Sequence, residues 1–94
     1  MLSFLNELED ILEERKTNPT EGSYTSTLMQ QGLDRILKKI GEEAGEVIIA
    51  AKNKDAEELT NESADLLFHL MLVLKNEGLS IKDVVKVLEE RHKK

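Results

Sequence analysis

A single proline and five glycines punctuate 94 residues, and between them apolar side chains recur every three or four positions. That spacing gathers them on one face of an α-helix, and strands of alternating polarity are absent. Leu, Glu and Lys, all good helix formers, dominate the chain. The fold class expected is all-α, with four main helices and one short helical turn forming a bundle.

The first helix is expected over residues 3–15, where Phe4, Leu5, Leu8, Ile11 and Leu12 repeat at three and four. Pro19 and Gly22 break it within the polar stretch 16–23, and a short helical turn over 25–31 follows. The second main helix, 33–53, carries its stripe on Leu33, Ile36, Leu37, Ile40, Ala44, Val47, Ile48 and Ala51. After a turn at Asn53-Lys54-Asp55, the third covers 56–76, with Leu59, Leu66, Leu67, Leu70, Val73 and Leu74 on one side. Phe68, Met71 and Leu72 spread apolar surface round the rest of it. A helix greasy on most sides needs more neighbours than so short a chain supplies, so the bundle is expected to be completed by homodimerisation. Gly78 reads as a C-terminal stop, and Ser80 with Asp83 as a capping box opening a last helix to about His92. Residues 1–94 form one domain, without internal repeat or linker.

Composition removes several classes of function. Without cysteine there is no disulfide framework, no thiolate metal site and no cysteine nucleophile. A net charge of −6 opposes a large nucleic-acid footprint, which needs a basic patch to displace counterions. No apolar run is long enough to span a bilayer, and the acidic residues soon after Met1 do not fit a secretory signal. The expectation is a cytoplasmic protein with neither membrane nor nucleic acid as partner.

What remains is an acidic constellation: Glu42-Glu43-x-x-Glu46 on one helix and Glu62-x-x-Asp65 on the next. Carboxylates three or four apart share a helical face, so two adjacent helices could direct several oxygen ligands to one point. Oxygen-only ligation suits Mg²⁺ or Mn²⁺ rather than zinc, and such an ion often accompanies a phosphate-bearing substrate. At about 100° per residue, Glu43 sits at the edge of the apolar stripe, Glu46 lies further round and Glu42 points nearly away. Ordinary surface pairing is the competing account, since Lys38 precedes Glu42 and Lys39 precedes Glu43 by four residues. Spacing alone leaves that account slightly ahead; the interruption of apolar segments by matched acidic pairs favours the metal. A ferritin-like di-iron site needs two Glu-x-x-His motifs, and only Glu89 with His92, near the end of the last helix, has that spacing. His69, on the Glu62 and Asp65 side, is either a satisfied core residue or a hydrogen-bond donor to a ligand carboxylate. Lys39 could meet phosphate or pair with Glu43, while Arg35 and Lys52 have weaker claims of the same kind. Tyr24 and Thr25 lie in a Pro- and Gly-flanked segment of the kind that often carries binding groups, or Thr25 or Ser23 could simply cap the following turn.

The chain resembles the phosphoribosyl-ATP pyrophosphohydrolases of histidine biosynthesis, within the MazG-like all-α pyrophosphohydrolase group. The resemblance runs over essentially the whole length and is carried by three segments. These are Gly22-Ser23-Tyr24-Thr25, the run from Lys38 through Glu42-Glu43-Ala44-Gly45-Glu46 to Lys52, and Glu62-Ser63-Ala64-Asp65-Leu66-Leu67-Phe68-His69. One departure is Phe68, where many relatives would have Tyr. The resemblance implies a dimeric helical fold with Mg²⁺ held by Glu43, Glu46, Glu62 and Asp65, and Glu42 auxiliary. It also implies the substrate phosphoribosyl-ATP, cleaved to phosphoribosyl-AMP and pyrophosphate by water attacking the α–β phosphate linkage. Glu42 or Glu46 would orient that water. Without the fused cyclohydrolase domain found in some relatives, the stand-alone form is expected. A house-cleaning pyrophosphohydrolase acting on ordinary or damaged nucleotides, and a non-catalytic helical dimerisation module, are the alternatives.

Overall fold

A computed structural model describes residues 1–93 as five helices. They are α1 (Phe4–Thr17), α2 (Tyr24–Gln31), α3 (Leu33–Lys52), α4 (Ala56–Asn76) and α5 (Ile81–Arg91). The all-α expectation holds. Helix α1 continues two residues past Arg15, where Lys16 Nζ donates to the Lys75 carbonyl at 3.0 Å. Helix α2 is a full helix rather than a turn and begins one residue early, because the Ser23 hydroxyl caps it by accepting from the Ser26 N–H at 3.2 Å. Gly32, at φ 98°, allows α2 to break into α3 without an intervening loop. Ser80 and Asp83 form the expected capping box, with the Ser80 N–H donating to Asp83 Oδ2 at 3.0 Å.

Helices α3 and α4 pack along each other as the backbone of the molecule, and α1 and α2 lie against them. The core joins all five helices: Leu12, Leu28, Ile36, Met71 and Leu72 are fully buried, with Ile81 closing one end. Each such side chain contributes about 1.5–3 kcal/mol by leaving water. On α4 the buried positions differ from those expected. Met71 and Leu72 are enclosed, whereas Leu67 and Leu70 each remain over a third exposed. On α3, Leu37 and Ile48 of the expected stripe are also open to solvent. Five helices from one chain cover only one side of the α3/α4 pair. Among the described residues no helix is long and apolar enough to cross a membrane.

One buried polar group lies outside every sequence expectation. Glu9 of α1 points inward, where Oε1 accepts from the Ile81 N–H at 2.7 Å and Oε2 meets Lys75 Nζ at 2.7 Å. It ties α1 to the end of α4 and the start of α5, and satisfies a donor of α5's open first turn.

Candidate active site

The α3/α4 seam carries acidic side chains along its whole upper half because the helical period places them there. On α4, Glu58, Glu62, Asp65, His69 and Leu72 follow one another at three and four, so an acidic row runs directly into the core. On α3, Glu43 and Glu46 occupy the facing row. Glu43 is buried, its Oε1 lying 2.6 Å from His69 Nδ1. That approach lacks hydrogen-bond alignment, since the Nδ1 site is aligned instead with the Asp65 carbonyl oxygen at 2.9 Å. Glu43 Oε1 and Glu62 Oε2 are therefore sequestered from water without a hydrogen-bond partner.

One turn further along, Glu46, Glu58 and Glu62 crowd together. Glu62 is pushed up to about 8, chiefly by the neighbouring Glu46 carboxylate and then by Glu58, which favour its protonated form, with burial and mutual repulsion adding to the effect. A cavity of about 130 Å³ opens beside this group, lined by Glu46, Ile49, Ala50, Asn53, Asp55 and Glu58. The donor chemistry fits a hard divalent cation: every group is a carboxylate, two oxygens are buried without partners, and the like charges strain against one another. Among the described residues no three such groups are already drawn together to enclose an ion, so ligation would pull the carboxylates inward.

The other sequence candidates divide by face. Lys39 and Arg35 lie within about 20° of Glu46 around α3, and extend that face about 10 and 16 Å towards the helix N-terminus. Lys52 projects about 120° away from Glu46 and is not brought to the site. Glu42 is exposed, and Asp65 engages the seam through its backbone carbonyl while its side chain stays open. Thr25 is half-buried in the first turn of α2. Tyr24 reaches His69 Nε2 with its hydroxyl at 2.9 Å. Neither Lys38 with Glu42 nor Lys39 with Glu43 forms an ion pair among the described residues, which removes the pairing that the surface account required. Glu58 was missed at the sequence level. Its signal was the four-residue step to Glu62, masked by its place in the first turn, where acidic residues are common for reasons of the helix dipole.

A family model for phosphoribosyl-ATP pyrophosphohydrolase matches residues 5–92. A phosphoribosyl-ATP pyrophosphatase of Leptospira biflexa is 55% identical over 91 residues, covering 97% of this chain and 99% of that protein. The histidine biosynthesis bifunctional protein HisIE of Bacillus subtilis is 54% identical over 88 residues, and the match covers 94% of this chain but 42% of that protein. The HisIE of Thermus thermophilus is 58% identical over 82 residues, 87% of this chain and 38% of that one. The chain thus spans less than half of the bifunctional relatives and nearly all of the Leptospira protein.

Proposed function

The chain belongs to the phosphoribosyl-ATP pyrophosphohydrolase family, and from that premise we propose that it hydrolyses phosphoribosyl-ATP to phosphoribosyl-AMP and pyrophosphate in histidine biosynthesis. The observation that carries the site is the pair of buried, unpartnered carboxylate oxygens on Glu43 and Glu62, one from each helix of the seam. In a protein of net charge −6, such groups make sense when a cation completes them. Glu43, Glu46, Glu62 and Asp65 would hold Mg²⁺ or Mn²⁺, with Glu58 close enough to assist. When bound, the ion supplies charge neutralisation for the phosphate oxygens during displacement.

The chain's own groups account for the rest. Lys39 and Arg35, in line with Glu46 along α3, give the polyphosphate and its sugar a cationic track. Tyr24 and Thr25 border the same end of the seam from α2. Glu46, which stands beside Glu62 and lines the neighbouring cavity, is better placed than Glu42 to orient a water and receive its proton. The exposed apolar flank of α3 and α4 supports a homodimer.

Phosphoribosyl-ATP assayed beside a panel of nucleoside triphosphates, with and without Mg²⁺, tests the reading. Release of pyrophosphate from phosphoribosyl-ATP alone, dependent on the metal, is expected. Vigorous turnover of ordinary triphosphates with none of phosphoribosyl-ATP would overturn it in favour of nucleotide house-cleaning. Complementation of a strain lacking this histidine-pathway step is the corresponding measurement in cells.

A further inference from the structure

We propose that Tyr24 and His69 form a latch that fixes the carboxylate of Glu43, so that α2 sets the geometry of the acidic site through two positioning residues. Its importance for catalysis rests on the cation reading above; its existence does not.

His69 is 4% exposed and both ring nitrogens are engaged. Nδ1 faces two acceptors, the Asp65 carbonyl oxygen at 2.9 Å on its own helix and Glu43 Oε1 at 2.6 Å across the seam. Two acceptors at one nitrogen assign the hydrogen to Nδ1. In the neutral ring Nε2 is then bare, and it accepts from the Tyr24 hydroxyl at 2.9 Å. Phe68 packs edge-on to the imidazole, with centroids 5.1 Å apart, and lies 28° from the plane of the Tyr24 ring at 6.3 Å. The imidazole is thereby held against rotation as well as against tautomerisation. Because its N–H is directed at the Asp65 carbonyl, it stands against Glu43 Oε1 without consuming that oxygen in an aligned bond.

The other end of the latch is equally fixed. Tyr24 is the first residue of α2, whose start is capped by Ser23, and Ser26 Oγ accepts from the Thr20 N–H at 2.9 Å. The segment that sequence motifs link to substrate thus connects through one hydroxyl and one imidazole to a buried carboxylate on α3. The Tyr24 hydroxyl is committed to His69, and the residue as a whole is 51% exposed, leaving its ring to border the substrate.

Tyr24→Phe keeps the ring packing and removes only the hydroxyl. In the metal-free, ¹⁵N-labelled protein, imidazole resonances should report the Nδ1–H tautomer for wild-type His69. Tyr24→Phe should move them towards the Nε2–H form, with exposed His92 as the internal reference. Calorimetric titration with Mn²⁺ should show affinity reduced about tenfold in Tyr24→Phe and in His69→Gln, the lower end of what removing a residue that orients a metal-binding carboxylate typically costs. The double variant should lose no more than His69→Gln alone, since the two act in series. Melting of metal-free Tyr24→Phe should stay close to wild type. His69→Gln provides the affinity comparison if Tyr24→Phe folds poorly. An unchanged His69 signature in Tyr24→Phe overturns the latch, as do losses that add independently. If wild type binds no Mn²⁺, the cation reading falls while the tautomer measurement still decides the latch.

Discussion

Glu9 shows how a carboxylate can be kept charged inside so small a protein. Burial alone would raise it, but the hydrogen bond from Lys75, the Ile81 N–H, the Lys75 charge and Ser80 together hold it below the ordinary 4.5. Lys75 is raised in turn above 10.5, first by its bond to Glu9 against the opposing effect of burial, with Glu13 adding to the rise. A depressed carboxylate stabilises the fold above 4.5 and loses that contribution as pH falls through its folded value; a raised ammonium loses its contribution above 10.5. Lys75→Met leaves Glu9 buried and uncompensated, with an expected cost of about 3 kcal/mol in urea unfolding at pH 7. Pairing it with Glu9→Leu should recover part of the loss, and Glu9→Gln should flatten the decline of stability below pH 4.5. Glu62 has the opposite sign. Raised to about 8, it binds a proton when folded that it has lost when unfolded, so its contribution is full below 4.5 and disappears as pH rises through about 8. Metal-free Glu62→Gln should therefore melt above wild type at pH 8.5 and lose Mn²⁺ affinity in the same preparation. A lower melting point there would contradict the like-charge account.

At the level of elements, helix signals were readable because their causes are local. Gly78 adopts φ 76°, and Ser80 and Asp83 three residues apart close a capping box, so the start of α5 could be placed from these three residues. That cap matters more than most, because α5 makes none of the broader helix packing seen for α1 to α4. Ser80→Ala should cost about 1 kcal/mol and raise amide exchange over residues 81–84 while α3 and α4 keep their protection. Equal loosening of all five helices would show that the cap is not local in effect. The start of α2 was misjudged by one residue, yet that residue is Tyr24, whose place in the first turn brings its hydroxyl to His69. Of the acidic site, the periodic part was legible: Glu43 inward, Glu42 outward, Glu62 and His69 on one row. The inward turn of Glu9 was not, since its acceptor role depends on an N–H 72 residues away and its own helix reads it as surface. Burial of Met71 in place of Leu67 and Leu70 was equally hidden, because a helix apolar all round does not say which side its own chain covers.

The whole molecule exposes more surface than a self-sufficient chain should. Its accessible area is 6769 Å² where about 5,500 Å² is usual for this mass, and its radius of gyration is 14.5 Å where about 12 Å is usual for this length. The excess, roughly 1,270 Å², is more than the area, about 800 Å² per partner, that a standard interface buries. Ile48 and Ile49 of α3, 68% and 60% exposed, and Leu67 and Leu70 of α4, each 37% exposed, leave an apolar flank on this helix pair. Ile49 also lines the cavity next to Glu46 and Glu58, so a second copy covering this flank would close over the acidic group as well. Ile48→Glu tests this without touching that cavity. Wild type should sediment at twice 10.7 kDa, and the variant at the single-chain mass while keeping its helical circular dichroism. If the partner completes the site, pyrophosphate release should fall with the dimer fraction and return as protein concentration is raised. A monomeric variant of full activity would place every required group within one chain, and a wild type sedimenting as a monomer would remove the dimer altogether.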